Sequence, residues 1–264
     1  MPLEKATRYV YNKKPLEQVI LQLRFPPILK LDTEIPALFQ DKIIGEFPIY
    51  SKSVDIQQEF NLELDPSGNP LTPSAKVNTT DNHIFTSKDG NWKIGLTRTY
   101  MSISTNQYFK WEDFLEKFKI PLKAFNEIYN PVYYTRIGLR YTDVFCRSKF
   151  GLDNTVKWSE LLNTKFLGVL SDDDLKESVC NYSSAFELKL KDENGNSKAI
   201  IITNLVKNQA GERCVLIDSD FFTVENIEKE KFEKQADFLH SHSTQLLQRV
   251  ITDKLHDAME PEKI

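Results

Sequence analysis

With 264 residues, 40% of them hydrophobic and 11% aromatic, the chain has the apolar content for one large or two small packed units, which excludes a disordered or low-complexity protein. Its net charge of −4 gives no global positive excess to draw it to nucleic acid or an anionic membrane. No apolar run approaches the about 18 residues needed to span a bilayer, and Met1-Pro2-Leu3-Glu4-Lys5 has an early acid and no apolar stretch behind it, unlike a secretory signal, so a cytoplasmic protein with no membrane partner is expected.

In chain order, Val19, Leu21, Leu23 and Phe25 alternate with Gln18, Gln22 and Arg24, a half-buried strand that Pro26-Pro27 stops. Asp32-Thr33 reads as an N-cap with Pro36 in the first turn, and Ile35, Leu38, Phe39, Ile43 and Phe47 recur at helical spacing. Residues 49–64 read as extended. A proline-containing stretch from Asp65 to about Asp81 reads as a mobile surface loop. Strands at His83–Ser87 and Trp92–Leu96 flank Asp89-Gly90, a strong hairpin signal, and Tyr100–Thr105 follows. Trp111, Phe114, Leu115, Phe118, Leu122, Phe125 and Ile128 mark a long helix that Pro121 is expected to kink or divide.

Past Pro131 the order begins again. Thr135, Ile137, Leu139 and Tyr141 form a strand, Trp158, Leu161, Leu162 and Lys165 a short helix, and Ser171-Asp172-Asp173-Asp174 a helix N-cap. Strands are expected at Val179–Lys191, Lys198–Val206 and Arg213–Val224, the first two joined by an Asn194-Gly195 turn. One helix is expected from about Ile227 to Met259, with fraying after it. Cys146, Cys180 and Cys214 contain no C-x-x-C and are read as buried thiols in a reducing compartment, forming neither a disulfide framework nor a zinc site.

Pro15…Leu23-Arg24-Phe25 and Pro131…Leu139-Arg140-Tyr141 coincide at a constant offset of 116 residues (131 − 15). The fold expected is therefore α+β: duplicated β-α-β(3-4)-α halves, residues 1–130 and 131–264, forming a curved antiparallel sheet with helices packed on one face. In element order this resembles the helix-grip or saddle arrangement of TATA-binding protein, which by itself implies nothing about DNA. With the apolar residues turned to the helices, Gln22, Arg24, Arg136 and Arg140 line the open face, with Lys93 and Thr97 beside them. Either the arginines pair with acids such as Glu63, Glu187, Asp218 or Asp220, or they remain available to an anionic ligand.

Gly138-Leu139-Arg140-Tyr141, Gln22-Leu23-Arg24-Phe25-Pro26-Pro27-Ile28 and the segment Ile103-Ser104-Thr105 to Tyr108 and Trp111 resemble a sporadically distributed bacterial family of about this length, described as uncharacterised. The chain departs from its pattern at Thr142-Asp143, where an aliphatic residue and Asn are expected. The resemblance implies an accessory or phage-defence gene and supplies no functional residues.

Phosphate-loop, dinucleotide, nucleophile-elbow and zinc-protease motifs are absent, as is the E-x-E-x-K strand of triphosphate-tunnel enzymes. His240 and His242 lie about 200° apart on a helix and cannot share a metal. Asp218 and Asp220 share a strand face and are the weak metal candidates, though pairing with arginine suits them better. No cofactor is expected. The function expected is a non-catalytic binding protein using the Arg24, Arg136 and Arg140 face, with a protein encoded nearby or a small anionic ligand as partner. The alternatives are a nucleic-acid module stacking bases on Tyr133, Tyr134 and Trp92, and an enzyme centred on Asp218 and Asp220. The edge of a long antiparallel sheet also leaves self-association open.

Overall fold

The computed structural model describes residues 7–61, 74–191 and 197–264. After β1 (Tyr9–Tyr11) comes β2 (Leu16–Arg24), in which Val19, Leu21 and Leu23 are fully buried and Gln18 and Arg24 exposed, the alternation that strand geometry requires. The next segment makes two short helices, α1 (Lys30–Thr33) and α2 (Ala37–Ile43). Here the expectation needs correction: Pro36 is itself the cap, and Ile35 and Leu38 are 71% and 69% exposed. So short a helix buries only the narrow stripe that Phe39, Ile43 and the following Phe47 provide.

Strands β3 (Ile49–Asn61) and β4 (Ser74–Thr86) pair along their whole length, from Ile49 opposite Thr86 to Asn61 opposite Ser74. The expected loop is thus corrected over Ser74–Asp81; its earlier part lies outside the described residues. On its other side β4 has a partner only from His83 to Thr86, so the rest of the strand follows β3 alone. Then β5 (Trp92–Leu96) follows a turn in which Gly90 has φ 78°, and β6 (Tyr100–Thr105) leads to α3 (Trp111–Ile128). Pro121 does not divide α3. It lies on the buried stripe with Phe114, Phe118 and Phe125, whose packing outweighs one lost backbone bond.

The second half contains β7 (Tyr133–Tyr134), β8 (Arg136–Phe145), α4 (Trp158–Leu161), α5 (Thr164–Leu167), β9 (Ser183–Lys189), β10 (Ser197–Lys207), β11 (Arg213–Thr223) and β12 (Ile227–Glu228). It ends in α6 (Phe232–Val250), α7 (Asp253–Ala258) and β13 (Pro261–Lys263). Asp172 accepts from the backbone N–H groups of Asp174 and Leu175 at 2.9 and 3.0 Å, but it caps a turn and no helix follows. The turn expected at Asn194-Gly195 lies outside the described residues.

The expected single C-terminal helix is broken at Ile251 and Thr252. There the Thr252 hydroxyl donates to the Glu160 carbonyl at 2.7 Å and accepts from Leu255 N–H, so a new helix starts. The terminus does not fray: β13 pairs with β1, Tyr9 opposite Lys263.

Nine strands form one antiparallel sheet in the order β3-β4-β5-β6-β2-β8-β11-β10-β9. At its centre β2 meets β8, with Leu21 opposite Leu139, Gln22 opposite Gly138 and Arg24 opposite Arg136. Helices α3 and α6 carry the apolar side: Phe118 meets Phe232 with ring centres 5.7 Å apart, and Trp111 Nε1 donates to Asp237 at 2.6 Å. Outward positions on β2, β6, β8 and β10 are mostly half-buried or exposed, so that side is open. Among the described residues no helix is long and apolar enough to cross a membrane.

Cys146 and Cys214 form a disulfide, and Cys180 is exposed, which corrects the expectation of three buried thiols. The two cysteines are 68 residues apart in sequence, and the register that puts Val215 opposite Phe145 brings them together. Their sulfurs are bonded to each other and offer no thiolate to a metal, although Glu212 lies beside them. The inference to a reducing compartment rested on free thiols and loses that support.

Candidate functional site

Strand alternation brings Gln22, Arg24, Arg136 and Arg140 together on the open face, near the β2/β8 seam. They are not equivalent. Arg140 reaches Asp218 on β11 with two guanidinium nitrogens, Nε to Oδ1 at 2.7 Å and Nη2 to Oδ2, and this bidentate bond raises its pKa. Arg136 Nη2 meets Asp220 Oδ2 at 2.7 Å, and its guanidinium lies 4.6 Å from the Phe222 ring centre. Burial lowers the pKa of Arg136 and raises that of Asp220, each against the pull of its partner. Desolvation therefore outweighs attraction on both sides, and this pair fixes geometry more than it adds stability. Arg24 differs from both. It is exposed, its Nε donates to Gln22 Oε1 at 3.0 Å, and it has no acidic partner among the described residues.

Asp218 and Asp220, the weak metal candidates, are thus held by guanidinium groups. Glu187 pairs with Lys198 at 2.8 Å, and Glu63 lies outside the described residues. Beside Arg24, across the β2/β6 pairing, the Tyr100 hydroxyl donates to Asp55, and Asn82 Nδ2 donates to Asp55 Oδ1 at 3.1 Å. Lys93 is exposed, but Thr97 is fully buried, receiving the backbone N–H groups of Thr99 and Tyr100. Of the three residues expected to stack bases, Tyr134 is fully buried with its hydroxyl donating to Asn126 at 3.1 Å. Trp92 packs on Phe114 at 5.7 Å on the helix side. Only Tyr133 remains.

Gly138 explains how Arg136 lies flat across β8. A Cβ built there would fall 2.1 Å from Arg136 Nη1. Gly138→Ala is therefore expected to push the guanidinium off Phe222 and Asp220 at a cost of about 1 kcal/mol. In a double-mutant cycle with Asp220→Asn, read by urea denaturation, the two costs should be strongly non-additive. Additive costs would show that Arg136 does not depend on the glycine.

The sequence reading missed a second place, on the helix side of the sheet. Between β8, β11 and α6 lies a cavity of about 130 Å³, bordered by Tyr141, Asp143, Phe145, Phe221, His240 and Leu246 among others. Burial pushes the Asp143 carboxyl up to about 7 and holds the His240 imidazole down at about 3. His240 stacks on Trp111, with centroids 4.6 Å and planes 9° apart, and its Nδ1 lies 2.9 Å from the Tyr141 hydroxyl. One signal could have revealed the cavity: Tyr141, Asp143 and Phe145 alternate on the inward face, and an acid is out of place there. No protein-family model matches the chain, and no curated protein matches it either.

Proposed function

We propose that the chain is a non-catalytic binding protein whose open sheet face recognises an acidic segment of a protein partner. The observation that carries this reading is Arg24, exposed at the end of the central strand β2 and with no acidic partner among the described residues, beside two arginines whose positions Asp218 and Asp220 fix. Arg140 spends two of its nitrogens on Asp218 and its side chain is half exposed, so it keeps donors for a carboxylate. The net charge of −4 and the burial of Tyr134 give nucleic acid less to hold. The family resemblance fits a cytoplasmic accessory protein that works with a neighbouring gene's product.

The same reading includes descent by duplication into a saddle-like sheet. It is supported by the central register. The pair Gln22 and Gly138 is 116 residues apart, the offset at which the two strand sequences coincide, and β6 and β11 flank the seam as the last strands that their halves give to the nine-stranded sheet. A twofold relation through that pair would exchange the halves. Capture from the native cell on wild-type protein and on Arg24→Glu, compared by mass spectrometry, tests the binding role. A protein kept by the first and lost from the second is the expected result. Identical captured sets, or nucleic acid as the retained material, would overturn it.

A further inference from the structure

The cavity between the sheet and α6 supports an inference independent of the open face. Its walls are largely apolar, Phe145, Ile217 and Phe221 from the sheet and Leu246, Leu247 and Val250 from α6. At about 130 Å³ it is near the size of a cavity that accepts a benzene-sized guest, and it is not enclosed but opens outward past the exposed Phe109, where a longer guest can extend. Into this space Asp143 presents a carboxyl with no hydrogen-bond partner among the described residues. The nearby cations are already engaged. Lys149 reaches Glu17 at 2.5 Å, and the Lys14 ammonium, at the cavity wall, donates to the Tyr108 carbonyl.

We infer that this cavity binds a small organic monoamine, its ammonium on the Asp143 carboxylate and its apolar body against Phe145, Phe221 and Leu246. An anionic guest is disfavoured, because it would meet the Asp143 carboxylate while the nearest ammonium groups, Lys149 and Lys14, are spent on Glu17 and the Tyr108 carbonyl. From α6 the facing titratable group is His240, neutral and bonded to Tyr141, and β1 contributes only the phenols Tyr9 and Tyr11. A neutral apolar guest would leave the carboxyl desolvated and unpaired. An ammonium supplies the charge and the donors it lacks. The rings of Tyr108 and Tyr141, perpendicular at 6.1 Å, add polarisable walls beside the charge.

The test uses phenethylamine, toluene and phenylacetate as probes in titration calorimetry on the full chain at pH 8. Phenethylamine is expected to bind about tenfold more tightly than toluene, with phenylacetate weakest. Its affinity is also expected to rise between pH 6 and pH 8 as Asp143 ionises. Asp143→Asn should weaken the amine about tenfold and leave toluene unchanged. Ser219→Phe, which fills the cavity from β11, should abolish both, and it keeps the test decisive if the Asp143 variant does not fold. Amine binding equal to that of toluene, amine binding untouched by either variant, or no probe bound at millimolar concentration would each overturn the inference.

Discussion

Leu139→Ala is expected to lower the free energy of unfolding by about 3 kcal/mol, while Arg140→Ala, one residue along the same strand, should cost less than about 1 kcal/mol. Leu139 is fully buried and sits opposite Leu21 in the central pairing of the sheet, the seam that joins the two halves. Truncating it removes apolar contact and leaves a cavity that the neighbouring strands, locked in register, cannot close. Arg140 points the other way. Its side chain is half exposed, so even its two-pronged bond to Asp218 is made where water competes. Urea denaturation of both variants measures the contrast. Equal costs would mean that β8 does not divide its faces between core and solvent.

The second large effect concerns acid. His240 is neutral in the fold, with its pKa held down near 3 by burial, whereas the unfolded chain protonates it at about its ordinary 6.5. Between those values the unfolded state binds more protons, so the contribution of His240 is complete above pH 6.5 and is lost as pH falls toward 3. At pH 4.5, two units below the ordinary value, the loss is expected to be about 3 kcal/mol. Asp143 acts in the opposite sense. Its folded pKa, raised to about 7, makes its contribution complete below its ordinary 3.8 and lost as pH rises through 7. The wild-type profile is therefore flatter than either group alone would make it, and variants separate the two.

His240→Phe keeps the ring on Trp111 and gives up the Tyr141 contact. It should be about 1 kcal/mol less stable than wild type at pH 7 and should overtake wild type by pH 4.5. The window stays above the range where Glu112 protonates, since its hydrogen bond to Arg8 holds that carboxyl down to about 2. Denaturation midpoints at the two pH values decide it, and parallel wild-type and variant profiles would refute a neutral, buried His240.

The open face was legible because strand periodicity is local. Once Leu21, Leu23, Ile137 and Leu139 are assigned inward, Gln22, Arg24, Arg136 and Arg140 have no choice of side. Their pairing was not legible. Whether an arginine is spent or free depends on which acid stands diagonally across the next strand, a matter of register between β8 and β11. Asp218 and Asp220 therefore looked like a carboxylate pair in sequence and became two separate partners in the fold. Tyr134 looked available to a ligand, but in the fold it is buried against Phe232 with its hydroxyl on Asn126.

The sequence by itself determined the two faces of the main strands and showed the likeness of the Leu23-Arg24 and Leu139-Arg140 segments, because each is read within one stretch of chain, where a strand's period of two is local. Only the tertiary structure decided that Cys146 meets Cys214, that β13 ties the C-terminus to β1, and that Asp143, Tyr141 and His240 share one cavity. Each of those joins residues dozens to hundreds of positions apart, and such contacts are set by strand register and helix docking, which leave no repeating mark in either partner's own sequence.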